Sequence, residues 1–241
     1  MSNSMSLVDH LEELRWRILK SLGSVLIMSI ITFNFSNELV EILIRQATSL
    51  KSDLNLQVLT IQGMFLLKWN LSIIGGIILS LPVITIQVWK FLSPGLYDKE
   101  KKILLPLILT AFLCFILGGI FAYTVVLPFS LDFFASMITA DIQNNFSINY
   151  YFSFVLSLII GAGIIFELPI VSFLFSSIGL INPTFLRNYR REAIAITVIL
   201  SAIITPPDPI SLIIMSIPML ILYEISIAVS WFAIKLFSAD K

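Results

Sequence analysis

Between Lys20 and Glu38, Lys68 and Lys90, Lys102 and Asp132, and Asp141 and Arg187, the chain carries no Lys, Arg, Asp or Glu except Glu167 in the last window. Each window is near or above the roughly 20 residues with which a helix crosses a bilayer core. A water-soluble domain has no means of covering such runs. Charged residues are 12% of the 241 and hydrophobic ones 58%, where a soluble globular chain has about 25% charged. The fold class is therefore an all-α integral membrane protein, with one helix in each window.

After Glu192 the pattern changes. Residues 193–207 and 209–223 are apolar runs of fifteen residues, separated by Asp208 within Thr205-Pro206-Pro207-Asp208-Pro209. At 1.5 Å per residue each covers about 22 Å, short of a core of about 30 Å. Three prolines in four residues cannot continue a helix, so the segment reads as a turn between two short antiparallel helices. The expectation is six transmembrane helices, at about 18–36, 66–90, 103–128, 150–180, 193–206 and 209–231, in a single polytopic unit over residues 1–241, with the last two helices short.

Six spans put both termini on one side. That side carries Arg15, Arg17, Lys20, Lys90, Lys99, Lys101, Lys102, Arg187, Arg190, Arg191, Lys235 and Lys241, and the other Arg45, Lys51 and Lys68. Twelve against three predicts cytoplasmic, or stromal, termini by the positive-inside rule. Trp16, Trp69, Trp89 and Trp231 fall near span ends, where indole rings anchor at the interface. Acidic residues precede the first apolar run, so it reads as a retained span and not as a secretory signal or transit peptide. The one cysteine, Cys114, excludes an internal disulfide and reads as packing.

Enzymatic chemistry finds no residues to work with. The only histidine, His10, precedes the first span. There is no HExxH, no phosphate-binding Gly-rich loop with its Lys, and no set of metal ligands. No cofactor, metal or nucleic acid is expected, and binding or transport remains.

Three constellations stand out. In Ser6-Leu-Val-Asp-His-Leu-Glu-Glu-Leu-Arg-Trp-Arg17, Ser6 and Asp9 read as a helix start, and Leu7, Leu11, Leu14 and Ile18 share one face while Asp9, Glu12 and Glu13 crowd another. This is either an interfacial helix with a Glu13–Arg17 pair at i,i+4 or a seat for a cationic ligand. In Gln87-Val-Trp-Lys-Phe-Leu-Ser-Pro-Gly-Leu-Tyr-Asp-Lys-Glu-Lys-Lys102, Phe91, Leu96 and Tyr97 read as loop residues beside Glu100, a surface for an extended peptide bearing Arg and apolar side chains. In Gly161-Ala-Gly-Ile-Ile-Phe-Glu-Leu-Pro169, Glu167 stands alone in an apolar run, and Pro169 frees the carbonyl of Ile165. A carboxylate at mid-bilayer costs at least about 2.5 kcal/mol on insertion scales. With no lysine or arginine in the spans positioned to meet it, Glu167 is expected to be protonated or to find a polar partner, water or another chain.

The blocks HLEELRWR, QVWKFLSPGLYDKEKK, FAYTVVLPF, YFSFVLSLIIGAGIIFELP and TPPDPISLIIMSIPM, in this order between about residues 6 and 232, resemble the TatC family of twin-arginine translocase subunits. The resemblance implies a six-helix, cup-shaped bundle that recognises signal peptides with two adjacent arginines. With single-span partners of the TatA and TatB kind, such a subunit moves folded proteins across a membrane using the proton-motive force. It implies a homo-oligomer inside a larger complex, in a bacterial plasma membrane or a plastid thylakoid. Carried over by motif, the signal-peptide site falls on Glu13, Phe91, Tyr97 and Glu100, and the intramembrane polar site on Glu167. Glu12, as a neighbour of Glu13, and Asp208, which also suits a helix cap, are secondary positions. A guanidinium fork meets a carboxylate bidentately, which suits this set. The competing reading is a proton-coupled small-solute carrier using Glu167, although carriers place several polar groups near the midplane and are built from repeated halves.

Overall fold

A computed structural model describes residues 7–48, 55–92, 101–137, 145–205 and 209–238. In chain order the elements are α1 (Leu7–Asn34), α2 (Ser36–Thr48), strand β1 (Asn55–Gln57), α3 (Gly63–Leu92), α4 (Lys101–Phe121), a π-helical turn (Ala122–Val126), α5 (Leu127–Ser136), strand β2 (Asn145–Ser147), α6 (Ile148–Phe166), α7 (Leu168–Ser177), α8 (Pro183–Asn188), α9 (Arg190–Ile204) and α10 (Pro209–Ser238). The all-α membrane class holds. Among the described residues five segments are long and apolar enough to cross a membrane: His10–Asn34, Gly63–Phe91, Leu105–Ser136, Ile148–Ser177 and Pro209–Leu236. The remaining apolar helix, α9, has 15 residues.

The expectation that both final helices are short is corrected. α9 is short, but α10 runs for 30 residues, past the expected end near 231. The charge of Glu224 closed the apolar window in the sequence. In the fold that side chain is exposed and accepts a hydrogen bond from Arg190 Nη2 at 2.7 Å, so the helix continues beyond it. Trp16, Trp69 and Trp231 are more than half exposed, as interfacial anchors are, whereas Trp89 is buried.

The chain divides into two compact units, Met1–Glu41 with Met64–Phe112, and Ile42–Gly63 with Leu113–Lys241. In the first, the amphipathic start and the first span form one continuous helix of 28 residues, because no proline interrupts them. It lies close against α3. A Cβ added at Gly76 would sit 2.6 Å from the backbone nitrogen of Ser29, and one at Gly75 would meet the side chain of Thr32. Small residues at a helix crossing let the backbones approach, which in lipid substitutes for a hydrophobic driving force. Lys68 Nζ donates to Asn37 Oδ1 at 2.6 Å, tying the start of α3 to α2.

In the second unit β1 and β2 pair in parallel, Asn55 with Asn145, Leu56 with Phe146 and Gln57 with Ser147. Tyr123, in the π-helical turn, donates its hydroxyl to the carbonyl of Ile42 at 2.6 Å, and Tyr151 of α6 donates to that of Leu43 at 2.7 Å. These bonds hold the second half of α2. Serines join α7 to α10: Ser172 Oγ donates to the Ser226 carbonyl at 2.9 Å, and Ser176 and Ser230 share a 2.6 Å hydroxyl pair. Both pairs repeat at i,i+4, so one polar stripe on each helix faces the other. Ser130 of α5 and Ser211 of α10 form a further buried pair.

Candidate functional site

In the first unit His10, Glu13 and Arg17 recur at i, i+3 and i+7 along α1 and so share one face, while Gln87 and Phe91 share a face of α3 at i,i+4. The two faces meet. Arg17 donates to Glu13 Oε1 through Nε at 3.0 Å and through Nη2 to the same oxygen. Its Nη1 reaches Gln87 Oε1 at 3.5 Å. The His10 and Phe91 rings stack with centroids 4.4 Å apart and planes 15° from parallel. Glu13 is thus shielded by α3, with about a quarter of its side chain exposed.

Its two oxygens are unequal. Oε1 takes two donors from Arg17, whereas Oε2 is buried and has no hydrogen-bond partner among the described residues. His10 Nδ1 stands 3.8 Å from Oε2. Beside Arg17 an apolar groove of about 340 Å³ is lined by Leu14, Ile18, Leu22, Val25, Ile84 and Val88, with Gln87 and Phe91 at its end. A carboxylate with one oxygen lacking a donor, bonded to an arginine that lines an apolar groove, suits a ligand that presents a cationic donor followed by apolar side chains.

The predicted residues fall into place unequally. Phe91 belongs to the last turn of α3 and is not a loop residue: Pro82 lies inside that helix without ending it, and the next proline in the sequence is Pro94. Glu12 is exposed, so the two neighbouring acids have different surroundings and Glu13 is the one against α3. Tyr97, Glu100 and Asp208 lie outside the described residues. His10 and Gln87 were not singled out from the sequence. Their signal is spacing, since His10 lies three residues from Glu13 and Gln87 four from Phe91.

In the second unit Glu167 forms the joint between α6 and α7, with φ −77° and ψ −11°. Its N–H donates to the Ile164 carbonyl at 3.1 Å, and its own carbonyl accepts from Val171 at 2.9 Å. Pro169 sits in the first turn of α7, where a missing N–H is tolerated. The side chain is half-buried, and no ion pair reaches it among the described residues. Around it the helices are close: Phe166 meets Phe121 with ring centroids 5.8 Å apart, and a Cβ at Gly118 would lie 2.6 Å from the Ala162 carbonyl oxygen. No group of three or more His, Cys, Asp or Glu among the described residues is placed to hold a metal ion.

Comparison with known proteins gives a consistent result. Residues 9–218 match the family model described as Sec-independent protein translocase protein (TatC). The chain is 39% identical to the Sec-independent protein translocase protein TatC of Aquifex aeolicus, over 92% of this chain and 93% of that one. It is 36% identical to the protein of the same name from Helicobacter pylori, over 93% and 88%. It is also similar to a solved structure described as the crystal structure of twin arginine translocase receptor TatC, with a TM-score of 0.81 and 38% identity over 93% of this chain and 99% of that one. These findings support a translocase subunit and give no support to the small-solute carrier.

Proposed function

We propose, for a chain that belongs to the TatC family and so is a multi-pass membrane component of the Sec-independent protein translocase, that the Glu13 pocket receives a guanidinium of a twin-arginine signal peptide. The observation that carries this reading is Glu13 Oε2, buried with no hydrogen-bond donor among the described residues, on a side chain bonded to the Arg17 that lines the α1–α3 groove. An arginine side chain supplies parallel N–H donors that match a carboxylate, and the groove accepts the apolar residues that follow it. Glu100, with Phe91 and Tyr97, receives the second arginine, so that each guanidinium meets one carboxylate. The excess of Lys and Arg on the side of the termini supports a cytoplasmic, or stromal, position for the face with Glu13.

Glu167 acts elsewhere, as a hydrogen-bonding post for the transmembrane helix of a TatA- or TatB-type partner. Its place at a helix joint between small and aromatic residues, with no ion pair reaching it among the described residues, supports this role. Several copies of the chain assemble with these partners, and the proton-motive force drives passage of the folded protein. The relatives compared come from bacteria, whose plasma membrane is one of the two locations open to the sequence.

The test is site-specific crosslinking of a twin-arginine peptide to residues 87–91. Glu13→Gln and Glu100→Gln should each weaken binding by about 1.5–3 kcal/mol, the range for a hydrogen bond to a charged group. Equal crosslinking in the wild type and the double variant refutes the assignment.

A further inference from the structure

We infer that Arg17 is an internal competitor for the Glu13 carboxylate, and that this competition sets the preference of the pocket for arginine over lysine in its ligand. The inference rests on the reading of Glu13 as a guanidinium receptor. What carries it is the geometry of the resting pocket. Arg17 brings two donors to Oε1, one of them Nε at 3.0 Å, while its third nitrogen leans on Gln87, and Oε2 has no hydrogen-bond donor among the described residues, with His10 Nδ1 3.8 Å away. The site is already half filled by the functional group it is proposed to bind.

Three consequences follow from elementary electrostatics. An incoming cation meets a nearly neutral ion pair, so the long-range attraction that a bare carboxylate would offer is mostly cancelled. To gain both oxygens the ligand must loosen a guanidinium that is tethered four residues away on the same helix and therefore never diffuses off. To gain only Oε2 it must place a cation beside Arg17 in an apolar groove, where like charges repel more than in water. A guanidinium meets these demands better than an ammonium. It spreads its charge over a plane, is more weakly hydrated, and offers parallel donors to one carboxylate. An ammonium is a compact, strongly hydrated charge that gains one bond and loses more hydration. Arg17 therefore weakens both ligands and weakens lysine more.

A plain stabilising role for the Glu13–Arg17 pair makes a different prediction. If Arg17 only orients Glu13, removing it loosens the carboxylate and lowers affinity for every cation. Competition predicts the reverse sign and a change in selectivity.

The experiment measures binding of two synthetic peptides, one with adjacent arginines before an apolar stretch and one with lysines in their place. The full-length protein is used in detergent or nanodiscs. Arg17→Gln keeps an N–H donor for Glu13 and removes the charge. It should tighten the arginine peptide about three- to tenfold and the lysine peptide by more, so that the arginine-to-lysine ratio falls at least about threefold. Arg17→Lys, which preserves the charge but not the fork, should shift the ratio the same way by a smaller factor and covers the case in which Arg17→Gln does not accumulate. An unchanged or increased ratio, or weaker binding of both peptides, overturns the inference while leaving the receptor reading intact. Glu13→Gln is the separate arm: if it leaves the affinity for the arginine peptide unchanged, the receptor reading fails and the competition with it.

Discussion

A methyl group added at Gly76 should open the Glu13 site without touching it. The glycine lies where α3 crosses α1, and an ideal Cβ there would be 2.6 Å from Ser29 N and 2.7 Å from Ser29 Cα. Ordinary van der Waals contact begins near 3.4 Å, so α1 must retreat by roughly 0.8 Å at this point, against backbone atoms that cannot rotate away. Overpacking of this kind costs about 1–3 kcal/mol. Glu13 is sixteen residues up the same helix, about 24 Å along the axis. A rigid helix pushed away at Ser29 carries that displacement toward the His10–Phe91 stack. Gly23→Ala is the control, since it lies on α1 and its Cβ would meet nothing within 4 Å. It should be neutral, or stabilising by up to about 1 kcal/mol through helix propensity. The assay joins two measurements: thermal stability in detergent, and the rate of oxidative crosslinking between cysteines placed at positions 10 and 91 in a Cys114→Ser background. Gly76→Ala should lower both, and Gly23→Ala neither. If Gly76→Ala matches wild type in both, the close crossing does not hold the site together and the reasoning fails.

Two further outcomes follow from the site residues. Phe91→Ala removes the ring that His10 stacks on, at a centroid distance of 4.4 Å, and should reduce transport at least tenfold, a loss of about 1.4 kcal/mol, with protein abundance near normal; abundance falling in step with transport would make Phe91 a folding element instead. Glu167→Gln should retain most crosslinking of a partner helix to α6–α7, because a protonated Glu and a Gln offer similar donors and acceptors, whereas Glu167→Ala should lose it. Loss of transport in both forms with crosslinking intact in both would assign Glu167 to proton transfer.

Charge placement made most of the helical framework legible. The windows that opened after Lys20, Lys68, Lys102 and Asp141 became α1, α3, the α4–α5 rod and α6–α7, since burying charge in lipid is costly whatever the tertiary structure. The same rule failed where a charge is answered locally. Glu224 closed the apolar run from which α10 was read as short, because its Arg190 partner is 34 residues away. α2 was passed over because Glu38, Glu41 and Arg45 interrupt it, although Val40, Leu43 and Ala47 mark its buried face at helical spacing. Strands of three residues carry too little pattern to be seen. At the candidate site, Glu13 and Phe91 were singled out through their motifs, and the Glu13–Arg17 pair expected from i,i+4 spacing is present. The stacking of His10 on Phe91, and with it the unequal fate of the two Glu13 oxygens, depends on how α1 meets α3, which no local pattern records.

The short β1–β2 ladder imposes a parity rule on how this chain can thread a membrane. Its strands lie on either side of α3 and the α4–α5 rod in the chain, yet they are hydrogen-bonded neighbours, Leu56 beside Phe146. Whatever lies between them must leave one side and come back to it. Any membrane crossing made in the chain between the two strands is therefore matched by another. During synthesis β1 is made long before β2 and must wait for the chain between them to be placed before it finds its partner. Three backbone pairings thus fit only a chain that crosses an even number of times between Leu56 and Phe146.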